Sequence, residues 1–266
     1  MKTVILIPAR YASTRYPGKP LVTLKQPDGS HKSLIQMSWE AACSVPGVDA
    51  VYVATDDARI EDAAKRFGAE VIMTSRDCEN GTARCADAVT NGGLDADLIV
   101  NLQGDAPLTP PWFVEALIDE MKRDPEAVMA TPIIRCDRAT YGNFVEDRKN
   151  GMVGGTTAVQ DVHGNALYFS KEVIPWLDPK KVADMDPIPV FHHVGVYAYR
   201  RHTLLDYAAW GECELEQLEG LEQLRFLANG APVRCVEVDG RGRVFWELNN
   251  PHDTARIEQA LEAIAQ

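Results

Sequence analysis

The sequence predicts an α/β protein whose mostly parallel sheet carries helices on both faces and joins a small antiparallel lobe. Three observations predict it. A continuous apolar run opens the chain at 3–7 (TVILI). Strand-like and helix-like segments then alternate through the first half. In the middle, two strand-like segments follow each other with no helical period between them. Alternation implies parallel strands joined by crossover helices, which cover both faces of the sheet.

The run at 3–7 has no polar side, the mark of a strand buried on both faces. In 33–45, Leu34, Met37, Ala41, Ala42 and Val45 recur at helical spacing. Residues 51–54 (VYVA) read as a strand. In 58–67, Ile60, Ala63, Ala64 and Phe67 line one side of an amphipathic helix. A strand at 69–73, a helix at 82–91 and a strand at 98–102 (LIVNL) follow. A helix over 111–122 has Pro111 in its first turn, where proline costs nothing. Residues 127–134 (AVMATPII) read as a strand.

Residues 141–165 contain Gly151, Gly154 and Gly155 and show no helical period. Residues 166–169 (ALYF) and 190–199 (VFHHVGVYAY) read as strands around a loop rich in Pro and Asp at 177–190. In 214–228, Leu215, Leu218, Leu221, Leu224 and Leu227 at strict i+3 spacing predict one helix. A strand at 232–238 and a helix at 252–265, with Ile257, Leu261 and Ile264, close the chain. The expected organisation is a single domain over 1–266 with a small inserted lobe at about 141–200.

The chain has 27 Lys and Arg against 39 Asp and Glu, a net charge of −12. That excess argues against nucleic acid or an anionic membrane as partner. The six cysteines include no CxxC pair, which argues against a zinc site or a disulfide framework. No run approaches the roughly 20 apolar residues of a membrane span. Met1-Lys2-Thr3 leads straight into a strand, without the apolar core of a signal peptide. The expected location is cytoplasmic, with reduced thiols.

Against this acidity, the loop after the first strand, within LIPARYASTRYPGKPL (6–21), gathers Arg10, Arg15 and Lys19 around Gly18. Ligands of such sheets bind beyond the carboxyl ends of the strands. There, backbone N–H groups and cations can hold a polyphosphate. The alternative is a solvated surface loop. The segment fits neither GxxxxGK[ST] nor GxGxxG, so it is neither a P-loop nor a dinucleotide fingerprint. Asp105 follows the strand 98–102 and stands next to Gly104. A carboxylate so placed suits magnesium, which takes its other ligands from phosphates and water. The alternative is a turn aspartate. No nucleophile elbow is present, which argues against acyl transfer.

The opening loop, with VATDDARI (53–60), NGTAR (80–84), NLQGDAPL (101–108), ALYFSKEVIPW (166–176), HHVGVYAYR (192–200) and LEQLEGLEQLR (215–225), resembles the 3-deoxy-manno-octulosonate cytidylyltransferase family over nearly the whole chain. The resemblance implies a nucleotidyltransferase-type, Rossmann-like sheet and a homodimer. It implies transfer of CMP from CTP to the anomeric hydroxyl of a 2-keto-3-deoxy sugar acid, with release of pyrophosphate, in lipopolysaccharide synthesis. By matching positions, Arg10, Lys19 and Asp105 are catalytic. Arg10, Ser13, Lys19, Gly81, Thr82, Arg84 and Gln103 hold the nucleotide, and Arg15, Gln103, His193, Tyr197, Glu222 and Gln223 hold the sugar acid. Asp105 and Asn249 hold Mg2+.

The chain departs from the family pattern at several points. Asn249 stands where the family has an aspartate, and Ala83 and Ala106 stand where acidic or amide residues are usual. Thr157 aligns with an expected lysine, and Lys171 stands where arginine is common. These changes leave two alternatives open: another acceptor, such as a different ulosonate or a phosphonate, or a catalytically silent nucleotide-binding relative.

Overall fold

The computed structural model describes residues 1–12, 16–153, 155–242 and 253–264. Strand β1 (Thr3–Ala9) is buried along its whole length. Val4 and Leu6 point into one core and Ile5 and Ile7 into the other. This two-sided burial is why the run lacks alternation. After a hairpin of β2 (Thr23–Lys25) and β3 (His31–Ser33) come α1 (Leu34–Cys43), β4 (Ala50–Thr55), α2 (Ala58–Arg66), β5 (Glu70–Met73), α3 (Gly81–Asn91), β6 (Leu98–Leu102), α4 (Pro111–Arg123) and β7 (Met129–Arg135).

The second half contains α5 (Arg138–Lys149), β8 (Thr156–Gln160), β9 (Ala166–Ser170), α6 (Pro179–Val182), β10 (Phe191–His193), β11 (Val196–Arg200), α7 (Arg201–Ala209), α8 (Glu214–Glu219), α9 (Leu224–Ala228), β12 (Arg234–Glu237) and α10 (Asp253–Ile264). The ten-stranded sheet runs β5-β4-β1-β6-β11-β7-β10-β8-β9, with β12 alongside β7. It is parallel from β5 to β6 and turns antiparallel at β11, which pairs with β6 on one side and β7 on the other. Helices α3 and α7 cover one face through Cys85, Val89, Leu204 and Tyr207, and α1, α2 and α4 cover the other through Ile35, Ile60 and Leu117. Among the described residues no helix is long and apolar enough to cross a membrane.

Three local expectations are corrected. Residues 138–149 form α5, capped by Asp137 accepting from the Thr140 N–H, although no helical period is visible there. Only Phe144 of this helix is buried, so it has an anchor rather than an apolar stripe. The leucine-rich stretch 214–228 is two short helices, because Gly220 adopts φ 61° and ends α8. Strict i+3 spacing drifts about 60° per step around a helix of 3.6 residues per turn, so those leucines never shared one face. Leu218 is 74% exposed while Leu224 is fully buried. Residues 190–199 are two strands: at the break the Val196 N–H donates to the Val194 carbonyl at 2.7 Å, which lets β10 and β11 pair with different stretches of β7.

The ends of α8 and α9 are joined by a buried ion pair. Arg225 Nε and Nη2 donate to the two Glu216 oxygens at 2.6 and 2.8 Å. The guanidinium also lies 4.2 Å from the centre of the Tyr207 ring. Arg225→Met leaves Glu216 charged and without its main partner in a dry site. That variant is expected to lose about 3–5 kcal/mol of stability, and Glu216→Gln added to it should restore part of the loss, both measured by urea unfolding.

Candidate active site

The site lies beyond the carboxyl ends of β1 and β6. These strands are parallel neighbours, so their exits are adjacent. Gly104 enforces a close approach there: a Cβ at this position would lie 2.9 Å from the Pro8 carbonyl oxygen. The loop leaving β1 closes on itself, with the Gly18 N–H donating to the Tyr11 carbonyl at 2.9 Å. Gly18 holds φ 70°, and its Cα hydrogen faces the Tyr11 ring where a side chain would crowd it. The Arg59 guanidinium lies over the Tyr11 ring, 3.3 Å from its centre, and is itself doubly bonded to Asp57.

This closure delivers Lys19 to Asp105. Their side chains, 86 positions apart in sequence, form an ion pair at 2.5 Å. They remain 14% and 28% exposed, within reach of a ligand. Arg10 stands exposed one residue beyond β1. Next to them is the N-terminus of α3, capped by the Asn80 side chain accepting from the Ala83 N–H. A Cβ on Gly81 would lie 3.0 Å from Gln103 Nε2, so the helix start and the β6 exit are in contact.

A second polar group adjoins the first. Glu222 accepts from the Thr82 N–H at 3.0 Å and from Gln103 Nε2 at 3.4 Å. Burial pushes its carboxyl above the usual range, partly offset by the Thr82 bonds. The Tyr197 hydroxyl donates to Gln223 Oε1 at 3.1 Å. His193, 5% exposed, has Thr131 Oγ1 3.0 Å from Nε2 and Thr156 Oγ1 3.1 Å from Nδ1. Burial lowers the His193 pKa to about 3, so the imidazole is neutral at working pH. The break between β10 and β11 places His193 and Tyr197 with their rings 5.7 Å apart.

Gly81, Thr82, Gln103, His193, Tyr197, Glu222 and Gln223 therefore form one connected group, and the Lys19–Asp105 pair joins it through the backbone, since Asp105 follows Gln103 by two residues. Ser13, Arg15 and Asn249 lie outside the described residues. Arg84 is different. It is buried, and its guanidinium donates to Thr74 Oγ1 and the Ser75 carbonyl and lies 3.5 Å from Asp56. It ties the loops after β4 and β5 to α3. Thr157 is also buried, with its hydroxyl donating to the Glu172 carbonyl and accepting from the Ile174 N–H.

Sequence reading missed Asn80, Thr131, Thr156 and Tyr199, whose hydroxyl is 2.7 Å from Thr82 Oγ1. Asn80 was findable, because an asparagine just before a helix start is a capping signal. The two threonines carried no signal, since only the sheet register brings them to His193. Among the described residues no group of three or more His, Cys, Asp or Glu could hold a metal. Asp105 remains as a single carboxylate, which fits a cation that draws its other ligands from a bound phosphate chain.

Cationic loop, helix N-terminus and carboxylate at the exits of parallel strands are the parts of an enzyme that handles a nucleoside triphosphate. The sequence matches the family model described as Cytidylyltransferase over residues 4–237. The 3-deoxy-manno-octulosonate cytidylyltransferase of Maricaulis maris (strain MCS10) is 44% identical over 99% of this chain and 98% of its own. The 8-amino-3,8-dideoxy-manno-octulosonate cytidylyltransferase of Shewanella amazonensis (strain ATCC BAA-1098 / SB2B) is 38% identical over 98% and 99%. A solved CMP:2-keto-3-deoxy-manno-octonic acid synthetase complexed with CTP superposes with a TM-score of 0.83 at 36% identity, covering 100% of this chain and 99% of that one. The chain belongs to the cytidylyltransferase family, among the 3-deoxy-manno-octulosonate cytidylyltransferases.

Two outcomes follow from the geometry. Gly104→Ala pushes a methyl group against the Pro8 carbonyl and displaces the β6 exit; activity is expected to fall at least about tenfold while the far-UV circular dichroism spectrum is unchanged. For His193, the folded pKa of about 3 lies below the ordinary 6.5, so between these values the unfolded chain binds the extra proton. Stability from this group is present above pH 6.5 and is lost as pH falls. Between pH 7 and 5 the wild type should lose about 2 kcal/mol more than His193→Gln in denaturant titrations.

Proposed function

We propose that the protein transfers CMP from CTP to the anomeric hydroxyl of 3-deoxy-manno-octulosonate and releases pyrophosphate. The observation that carries this is the Lys19–Asp105 pair at the adjacent exits of β1 and β6, where the start of α3 meets Gln103. Lys19 supplies positive charge where the leaving pyrophosphate develops negative charge. Arg10 adds a planar guanidinium suited to two phosphate oxygens. Glu222, Gln223 and Tyr197 supply acceptors and donors for sugar hydroxyls, and neutral His193 is held between two threonines to present a fixed wall. These groups place the anomeric hydroxyl in line with the α-phosphate, so positioning and electrostatics do most of the work.

Mg2+ belongs to the same proposal, with Asp105 and Asn249 as its protein ligands. When bound, it neutralises phosphate charge and orients the triphosphate. Asp105 meets Lys19 now, so a cation of either kind can balance its charge. A homodimer, a cytoplasmic location and a place in lipopolysaccharide synthesis complete the reading.

The test follows pyrophosphate release from CTP with Mg2+ and a panel of acids. Turnover with 3-deoxy-manno-octulosonate, and none without an acid, is expected. Preference for the 8-amino analogue would move the acceptor to that of the Shewanella relative, and preference for ATP or UTP would sink the reading. Lys19→Ala is expected to lower kcat about 100-fold to 1,000-fold, as loss of one donor to developing oxyanion charge does.

A further inference from the structure

Asn101 of β6 is fully buried, and neither its amide nitrogen nor its amide oxygen has a hydrogen-bond partner. Buried polar groups in native proteins are almost always paired, because an unpaired one opposes folding. Leucine has the same branching and carries no such penalty. A residue that breaks a local folding rule without a structural gain marks function.

Its position indicates which function. Antiparallel register sets Asn101 opposite Tyr197 of β11. The two side chains therefore stand side by side on one face of the sheet. Gln103 follows two residues later on the same side, at the strand exit. The groups around it are bonded to one another: the Tyr197 hydroxyl donates to Gln223 Oε1 at 3.1 Å, and Gln103 Nε2 donates to Glu222 Oε1 at a long 3.4 Å.

An ionised carboxylate only accepts hydrogen bonds. A sugar hydroxyl that takes the place of Gln103 Nε2 on Glu222 Oε1 frees that amide. One that takes the place of the Tyr197 hydroxyl on Gln223 Oε1 frees that hydroxyl. Both displaced groups are donors that need an acceptor. Asn101 Oδ1 is such an acceptor, and its NH2 can return a bond to the Tyr197 oxygen.

We propose that Asn101 is a positioning residue for the sugar acid: it takes over the hydrogen bonds of Gln103 and Tyr197 when hydroxyls of a polyhydroxy acid engage Glu222 and Gln223. The proposal rests on the acceptor reading given above. It explains why an amide is kept where an apolar side chain would fold better. The unpaired amide is a cost carried by the free enzyme and relieved when the acid binds.

The test is Asn101→Leu in the full chain, with KM for 3-deoxy-manno-octulosonate, KM for CTP and Tm measured against wild type. The expected result is a Tm at or above wild type, a KM for the acid raised about tenfold or more, and a KM for CTP within about twofold. An unchanged KM for the acid overturns the proposal. So does an equal rise in both KM values, which would report a general distortion of the site. If Asn101→Leu does not fold, Asn101→Ser and Asn101→Ala replace it. They differ by one hydroxyl, and serine must then bind the acid at least about threefold better than alanine with equal KM for CTP. Wild-type turnover separates the two levels. No turnover with any acid removes the acceptor reading and this proposal together, whereas turnover unaffected by Asn101→Leu removes this proposal alone.

Discussion

Strand β6 hydrogen-bonds in parallel to β1 and in antiparallel to β11, and the two halves of the sheet meet along it. On the β1 side its exit meets the cationic loop. On the β11 side it meets Tyr197 and, past the break, His193. Gln103, Gly104 and Asp105 leave this strand in sequence, so one chain segment faces both polar groups at once. The close approach of Gly104 to the Pro8 carbonyl keeps the two strand exits within reach of each other.

The site is held by polar contacts that lie outside it. Arg84 spans the loops after β4 and β5 beneath α3. Glu216 and Arg225 lock the short helices that flank Glu222 and Gln223, and Asn80 joins them to the start of α3. Thr131 and Thr156 clamp His193 from two strands. Each arrangement removes freedom from a side chain that must present one geometry to a ligand. Precise positioning is the main resource of an enzyme whose reaction needs no covalent intermediate.

An acidic surface and an anionic ligand do not conflict here. The chain's negative charge is distributed, while Arg10 and Lys19 stand together at one strand mouth. Of the departures from the family pattern within the described residues, Ala106 follows Asp105 and Ala83 lies near the start of α3, whereas Thr157 lies in β8 of the sheet and Lys171 directly follows β9. Thr157 is absorbed into local structure through the Glu172 carbonyl and the Ile174 N–H. Ala83 lies in the capped first turn of α3.

The alternating first half was legible in the sequence, because local periodicity records which faces are buried. β1, α2, β6 and α4 have bounds within a few residues of those expected. The loop cations and Asp105 were legible as residue types at a strand mouth. Helix α5 was not, because it buries one side chain and leaves no stripe. The split of 214–228 was hidden behind a leucine repeat, although Gly220 stood in plain view as its stop. What the sequence determined by itself is the order of elements and the identity of the polar residues at their ends, since both depend on short-range spacing. What only the tertiary structure decided is which of those residues touch. Lys19 meets Asp105, Glu222 caps Thr82, and Asn101 lies unpaired opposite Tyr197, because strand register across the sheet sets those contacts and no local pattern encodes it.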